Sequence, residues 1–326
     1  MTYDPDAIVD RRRIRRKLTF WRVVATVAAI VALVVVAVVA TPSGRDALTG
    51  GHSIARVTID GLIQSNRDRV EALERLEKSQ AAAVIVHINS PGGTTAGSEQ
   101  LYDALVRLKA KKPVVVVVDG LCASGGYITA LAADHIIAQQ TSLVGSIGVL
   151  FQFPNVSDLL KTVGVKVEEV KSSPLKAAPN GFEPTSPEAR AALDMLVKDS
   201  YAWFRNLVKE RRQMDDETLQ TVTDGRVFTG HQAVGLKLID QLGDEKTAVA
   251  WLLAEKKISS ELPVRDYKLT PRLSDMTFLR AAAVVGLDAV GLTSFARRFE
   301  QSGVIQAVDR AGLDGMLAIW QPGVVQ

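Results

Sequence analysis

The chain has 326 residues, 47% of them hydrophobic and 23% charged, with a formal net charge of +3. That length suits one large domain or two smaller ones. The small net charge, with its basic residues gathered near the N-terminus, offers no nucleic-acid face, and the single cysteine, Cys122, excludes an internal disulfide.

The first element is the apolar stretch 19–40. From Val23 to Ala40 it carries no charge, and Trp21 stands at its edge. About twenty such residues cross a bilayer as a helix, and Trp favours the headgroup level. Arg11, Arg12, Arg13, Arg15, Arg16 and Lys17 come before it. The positive-inside rule then leaves a basic tail, 1–18, in the cytoplasm and sends the rest across. A cleavable signal peptide is the competing reading, with Val38 and Ala40 as small-residue cleavage positions. The apolar core is longer than an h-region. The expectation is a retained single-pass anchor in the lipid of the inner membrane, with the remaining chain on the extracytoplasmic side.

A polar, Gly-containing linker, 41–53, follows. Ile54 to Ile59 alternates as a strand does, and Asp60-Gly61 turns it. Val70, Leu73 and Leu76 have helical spacing within Arg67 to Leu76. Ala82 to Ile88 is a second apolar strand, ending in Asn89-Ser-Pro-Gly-Gly93. Ser98 to Lys109 is a helix with Leu101, Ala104, Leu105 and Leu108 on one face. Val114 to Val118 is a third strand. It leads into Asp119-Gly-Leu-Cys-Ala-Ser-Gly-Gly-Tyr127 and then a helix. The order strand, Gly-rich loop, helix thus occurs twice. Parallel strands would bring both loops to one sheet edge, where α/β folds bind ligands.

Further on, Asp134 to Ala138 is a short strand and Leu143 to Val149 a Gly-punctuated turn. Lys166 to Val170 reads as extended and Lys171 to Pro184 as a loop. Ser186 and Pro187 start a long helix as N-cap and first residue, with Leu193, Leu196, Val197, Phe204, Leu207 and Val208 as its apolar stripe. Thr229 and Gln232 fit a capping box. Phe278 to Val290 reads as a packed or surface-lying helix, with Arg280 and Asp288 against a second span. The tail, Gly315 to Gln326, reads as a docked helix.

Ser124 sits at a strand-to-helix junction among small residues, a position suited to a nucleophile. Gly125 and Gly126 admit a substrate carbonyl to the backbone, and amides at a helix start can receive an oxyanion. The alternative is a tight glycine turn with an incidental serine. Cys122 reads as a small buried residue rather than a nucleophile. A serine hydroxyl needs a base. His52, His87, His135 and His231 are the four histidines, none in a Gly-rich loop. His87 is the best placed of them. The loop lysines, Lys171 and Lys176, are the other option, provided that one is neutral.

Five motifs in sequence carry a resemblance: Asn89 to Gly93, Ala123 to Tyr127, Val144 to Val149, Lys171-Ser-Ser-Pro-Leu-Lys176 and Asp224-Gly-Arg-Val-Phe-Thr-Gly230. Together they resemble signal peptide peptidase A (SppA), membrane-bound serine peptidases of the Clp/crotonase superfamily. The likeness runs from Ile54 to about Leu253. It implies an α/β fold with a repeated β-β-α core in residues 54–256, with the N-terminal transmembrane helix before it and a C-terminal extension of unassigned role in 257–326. It also implies a Ser–Lys dyad: Ser124 as nucleophile, Lys176 as general base, Ser146 holding the lysine amine, and Gly93 and Gly125 as oxyanion-hole donors. No metal or cofactor is implied. The shorter members are similar in forming ring-like homo-octamers, with Ser and Lys from adjacent chains, and in degrading signal-peptide remnants. Three other readings stand beside this one: a crotonase-fold enzyme acting on acyl-CoA, a non-catalytic membrane scaffold, and a peptidase of the SohB type with other substrates.

Overall fold

The computed structural model describes residues 17–28, 30, 52–269 and 317–319. The chain divides between His52 and Ser53 into two units. In the first, residues 17–28 are helical. Phe20 and Trp21 are exposed on that helix and meet edge to face, ring centroids 6.1 Å apart. Among the described residues no helix is long and apolar enough to cross a membrane. The expected span, 19–40, continues past residue 30 outside the described residues. Most of the basic tail and of the linker also lies outside them, as does the expected helix from Phe278 to Val290.

The second unit is a mixed α/β fold on one main sheet, with β3 and β10 forming a separate two-stranded sheet. It opens with β1 (Ser53–Asp60), α1 (Arg67–Glu77), β2 (Ala81–Ser90), β3 (Gly92–Thr94), α2 (Thr95–Lys109), β4 (Val114–Ala123) and α3 (Gly125–Ala130). Then come β5 (His135–Ala138), β6 (Leu143–Gly145), α4 (Ser157–Thr162), α5 (Pro187–Arg212), α6 (Asp216–Val222) and β7 (Val227–Thr229). Last are α7 (Gly230–Gly235), β8 (Gln241–Leu242), α8 (Glu245–Lys256), β9 (Val264–Asp266) and β10 (Leu317–Ile319). The sheet runs β7-β6-β4-β2-β1-β9, with β5 beside β4 and β8 beside β5. Its pairs are parallel except β6 with β7.

The central strands are apolar on both faces, as a parallel sheet covered on both sides requires. On one face Val84, Val86, Ile88, Val116 and Val118 join the core that includes Leu73, Leu105 and Tyr127. On the other, Ile85, Val115 and Val117 pack with Ala248 and Leu252 of α8. On the edge away from β2, β4 serves two neighbours: Val115–Val118 pair with β5, and Leu121–Ala123 pair with β6. Its register on β2 slips between Ile88 and Ser90, which sets Ser90 opposite Cys122. A bulge of this kind bends a strand and re-aims its end.

The cap signals act where they were expected. The Ala189 N–H donates to Ser186 Oγ at 3.1 Å at the start of α5, and the Thr229–Gln232 capping box is present. Residues 166–170, read as extended, belong to no helix or strand. In the tail, residues 317–319 form a strand rather than part of a helix.

Candidate active site

β4 delivers Ser124 to the junction with α3 at φ 53, ψ −115. A non-glycine residue at positive φ is strained and persists only where its surroundings fix it. Here they do. The Ser124 N–H donates to the Gly145 carbonyl at 2.7 Å, and its own carbonyl accepts from the Ile128 N–H at 3.0 Å as α3 begins. The side chain is buried, and among the described residues its hydroxyl has only a long hydrogen bond, 3.5 Å, to the Gly148 carbonyl. A hydroxyl so weakly engaged is free to turn toward a base.

The Asn89–Gly93 loop lies against this junction. A Cβ on Gly126 would stand 3.0 Å from the Ser90 carbonyl oxygen, so the two Gly-rich loops touch across β2 and β4. Ser90 braces its own loop, donating to the Gly61 carbonyl at 2.7 Å and accepting from the Gly92 N–H at 3.1 Å. Gly93 is pressed on Ile63, where a Cβ would come within 1.8 Å of the carbonyl oxygen. Only glycine fits there.

The third motif adds Ser146. It is buried, at φ 51, with its N–H donating to the Arg226 carbonyl at 2.8 Å. It follows Gly145, the residue that holds the Ser124 amide. The structure thus gathers Ser124, Ser146, Gly93 and Gly125 around one strand end. Lys176 is exposed in the segment between α4 and α5. No hydrogen bond or ion pair joins it to either serine within the chain. The Gly148 and Arg226 carbonyls were missed from sequence, although the glycines of Val144–Val149 and Asp224–Gly230 mark both turns.

The model for peptidase family S49 matches residues 106–259, and that for Clp protease matches residues 58–143. A Synechocystis sp. protein named as a protease is 37% identical over 61% of this chain and 72% of its own length. The chain belongs to peptidase family S49. A Methanocaldococcus jannaschii protein, also named as a protease, is 33% identical to this S49 chain over 62% of it and 70% of the relative. An Enterococcus faecium protein named as signal peptide peptidase SppA is 32% identical over 60% of this chain and 57% of its own. The chain is a serine peptidase of the SppA type, in the Clp/crotonase superfamily.

Within this S49 peptidase the competing bases and nucleophiles are engaged elsewhere. Lys171 Nζ lies 2.6 Å from Glu169 Oε2 and 2.7 Å from Glu183 Oε1. Those charged hydrogen bonds raise its pKa, the wrong direction for a neutral base. His87 Nδ1 meets Asp119 at 2.7 Å and Nε2 meets Glu245 at 2.9 Å. It shares the sheet face of Ile85, whereas Tyr127 of α3 belongs to the opposite core. His135 stacks on Trp251, ring centroids 4.7 Å apart. Cys122 is fully buried, and burial pushes its thiol pKa far up, which removes the reactive thiolate.

Proposed function

We propose that this peptidase is a membrane-anchored endopeptidase that cleaves apolar peptides, signal-peptide remnants among them, through a Ser124–Lys176 dyad. The observation that carries the reading is the backbone at Ser124. A strained serine is fixed at a strand-to-helix junction, with one Gly-rich loop beneath it and another beside it. Such strain clusters at functional sites, and a sharp strand-to-helix turn is a recurrent setting for a nucleophile.

The chemistry follows. Neutral Lys176 takes the hydroxyl proton as Ser124 Oγ attacks the scissile carbonyl. Amide N–H groups of Gly93 and Gly125 receive the oxyanion, each worth roughly 3–4 kcal/mol. Protonated Lys176 then gives its proton to the leaving amine. Water, deprotonated by Lys176, opens the acyl ester and frees Ser124. The Ser146 hydroxyl orients the lysine amine. Lys176 has to be desolvated for this role, yet it is exposed on one chain. Its segment also exposes Leu159, Val163, Val170, Leu175 and Phe182. Apolar exposure on that scale marks an interaction surface, which favours a site completed by Lys176 of an adjacent subunit in a ring, an octamer on the family's pattern.

The reading places 1–18 in the cytoplasm, 19–40 in the inner membrane, 41–53 as linker and the peptidase domain, 54–256, on the extracytoplasmic side. There it meets peptides left in the bilayer. The test is hydrolysis of an apolar fluorogenic peptide by the full chain in detergent. Lys176→Ala lowers turnover roughly 10²–10⁴-fold with assembly intact. Mixing Ser124→Ala with Lys176→Ala chains restores part of the activity. Full activity in Lys176→Ala sinks the dyad, and no recovery after verified subunit exchange sinks the shared site.

A further inference from the structure

Both ring nitrogens of His87 meet carboxylates. Nδ1 lies 2.7 Å from Asp119 Oδ1, and Nε2 lies 2.9 Å from Glu245 Oε2. A neutral imidazole has one N–H and one lone pair, and an ionised carboxylate only accepts. With a neutral ring, one of these contacts would set lone pair against lone pair. Glu245 does not supply the missing proton. Both its oxygens already accept from the Arg56 guanidinium, which lowers its pKa. Asp119 stands half exposed to water. The cluster sets three carboxylates, Asp119, Glu245 and Asp266, against the guanidinium of Arg56. Asp60, two places past the Thr58 partner of His87 on β1, and Asp244, the N-cap of α8, add no cation. The geometry and the charge balance both call for a ring that donates from each nitrogen.

This ring sits where β2 and β4 lose their register. His87 pairs with Val117 and Ile88 with Val118, and the next pair is Ser90 with Cys122. Between those pairs β2 spends Asn89 alone, while β4 spends Asp119, Gly120 and Leu121. The His87–Asp119 bond spans the start of that bulge. Gly120 closes on Asn89, where a Cβ would stand 3.4 Å from Oδ1. The Ser142 hydroxyl reaches the Val118 and Asp119 carbonyls at 3.2 and 3.4 Å. From there β2 runs on to Gly93 and β4 to Ser124. A bulge re-aims the strand beyond it, so the offset between these two loops depends on how the bulge is held.

We propose that His87 is a positioning residue: as an imidazolium between Asp119 and Glu245 it fixes the bulge, and the bulge fixes the Ser124 hydroxyl relative to the Gly93 amide. The ring lies on the far face of the sheet and touches no reacting atom. The proposal rests on Ser124 being the nucleophile, and it adds what holds that nucleophile against its oxyanion donor. Through Glu245 the same ring ties the covering helix α8 to the two strands that carry the site.

The test uses the full chain in detergent. It reads kcat and KM for an apolar fluorogenic peptide, and the rate at which a fluorophosphonate labels the protein. His87→Gln keeps a neutral donor and removes the charge. Its kcat and labelling rate fall about tenfold or more, because small misplacements of reacting atoms are costly, while KM is unchanged. His87→Arg, a planar and permanent cation, restores most of both. Asp119→Asn falls likewise. The double variant with His87→Gln falls no further, the coupling expected of two residues that act through one bond. Asp119→Asn alters an exposed side chain, so it carries the test should the His87 variants not assemble. Wild-type kcat in Asp119→Asn, a change in KM alone, additive losses in the double variant or no rescue by arginine overturns the proposal. A second measurement does not depend on hydrolysis. Backbone hydrogen exchange, read by mass spectrometry, quickens in residues 89–93 and 119–124 of His87→Gln and stays as it was in α5. That pattern supports the clamp even if Ser124→Ala keeps full turnover, in which case only the nucleophile assignment fails. Unchanged exchange in both loops overturns the clamp whatever the turnover shows.

Discussion

At the scale of single residues, the site is a balance between strain and chemistry. Ser124 at φ 53 stores on the order of 1–3 kcal/mol. Glycine would relieve that strain and alanine would not, since alanine keeps the Cβ. Ser124→Gly therefore melts at a higher temperature than Ser124→Ala, by about 2–4 °C per kcal/mol relieved, while both variants lose turnover. Equal melting temperatures, read by calorimetry, would mean that the backbone relaxes without cost. The proposed nucleophile stood out in the sequence because its neighbours do. A serine between an apolar strand and paired glycines announces the geometry it needs. The proposed base stood out less. Lys171 and Lys176 lie five positions apart in one polar loop, and composition treats them alike. They are separated by Glu169 and Glu183, which hold Lys171 as a cation. Glu183 comes twelve positions later, so no local pattern of the sequence reveals that pair.

At the scale of elements, what was legible was local and what was not depended on partners. Caps at Ser186 and Thr229 act within three residues, so the sequence states them. The pairing of β10 with β3 joins residues more than two hundred positions apart. A second long-range feature ties elements together on the sheet face away from Ser124. Arg56 of β1 donates to Glu245 of α8, with Nη2 to Oε1 at 2.6 Å, and to Asp266 of β9 at 2.7 Å. Glu245 also meets His87 of β2, which meets Asp119 of β4. The hydrogen bonds from Arg56 first, then from His87, lower the Glu245 pKa from its ordinary 4.5. A carboxylate with a lowered folded pKa contributes stability that is complete above its ordinary value. That contribution is lost as pH falls through the lower, folded value. Wild-type melting temperature therefore falls as pH drops below about 4.5. Glu245→Gln starts from a lower melting temperature at neutral pH and drops less over the same range. Parallel curves for the two proteins would show that the clamp adds nothing to the pH dependence.

At the scale of the whole molecule, the sequence presents more apolar surface than the described residues of one chain cover. The stripe read along α5 includes Leu193, Leu196, Val197, Phe204, Leu207 and Val208. Only Phe204 and Val208 of these are buried, and Leu196 stays 52% exposed. Near it Phe151 and Phe153, ring centroids 6.1 Å apart, line a cleft of about 320 Å³ with Leu193, Val197, Thr185, Arg190 and Asp194. Periodicity marks the helix face that is apolar, but it does not tell whether the covering surface belongs to the same chain. A face like this, left open beside the segment that carries Lys176, is what a neighbouring subunit would cover. The expected outcome for Leu196→Glu follows from that argument. A charge in the contact opposes association while leaving the buried half of α5 intact. Light scattering then reports smaller species, circular dichroism stays unchanged, and turnover falls with the loss of assembly, as the proposed shared site requires. Undiminished turnover in dissociated chains would show that one chain holds a complete site. An assembly unaffected by the glutamate would instead remove this face from the contact and leave the exposed side chains between Leu159 and Phe182 as the surface that joins subunits.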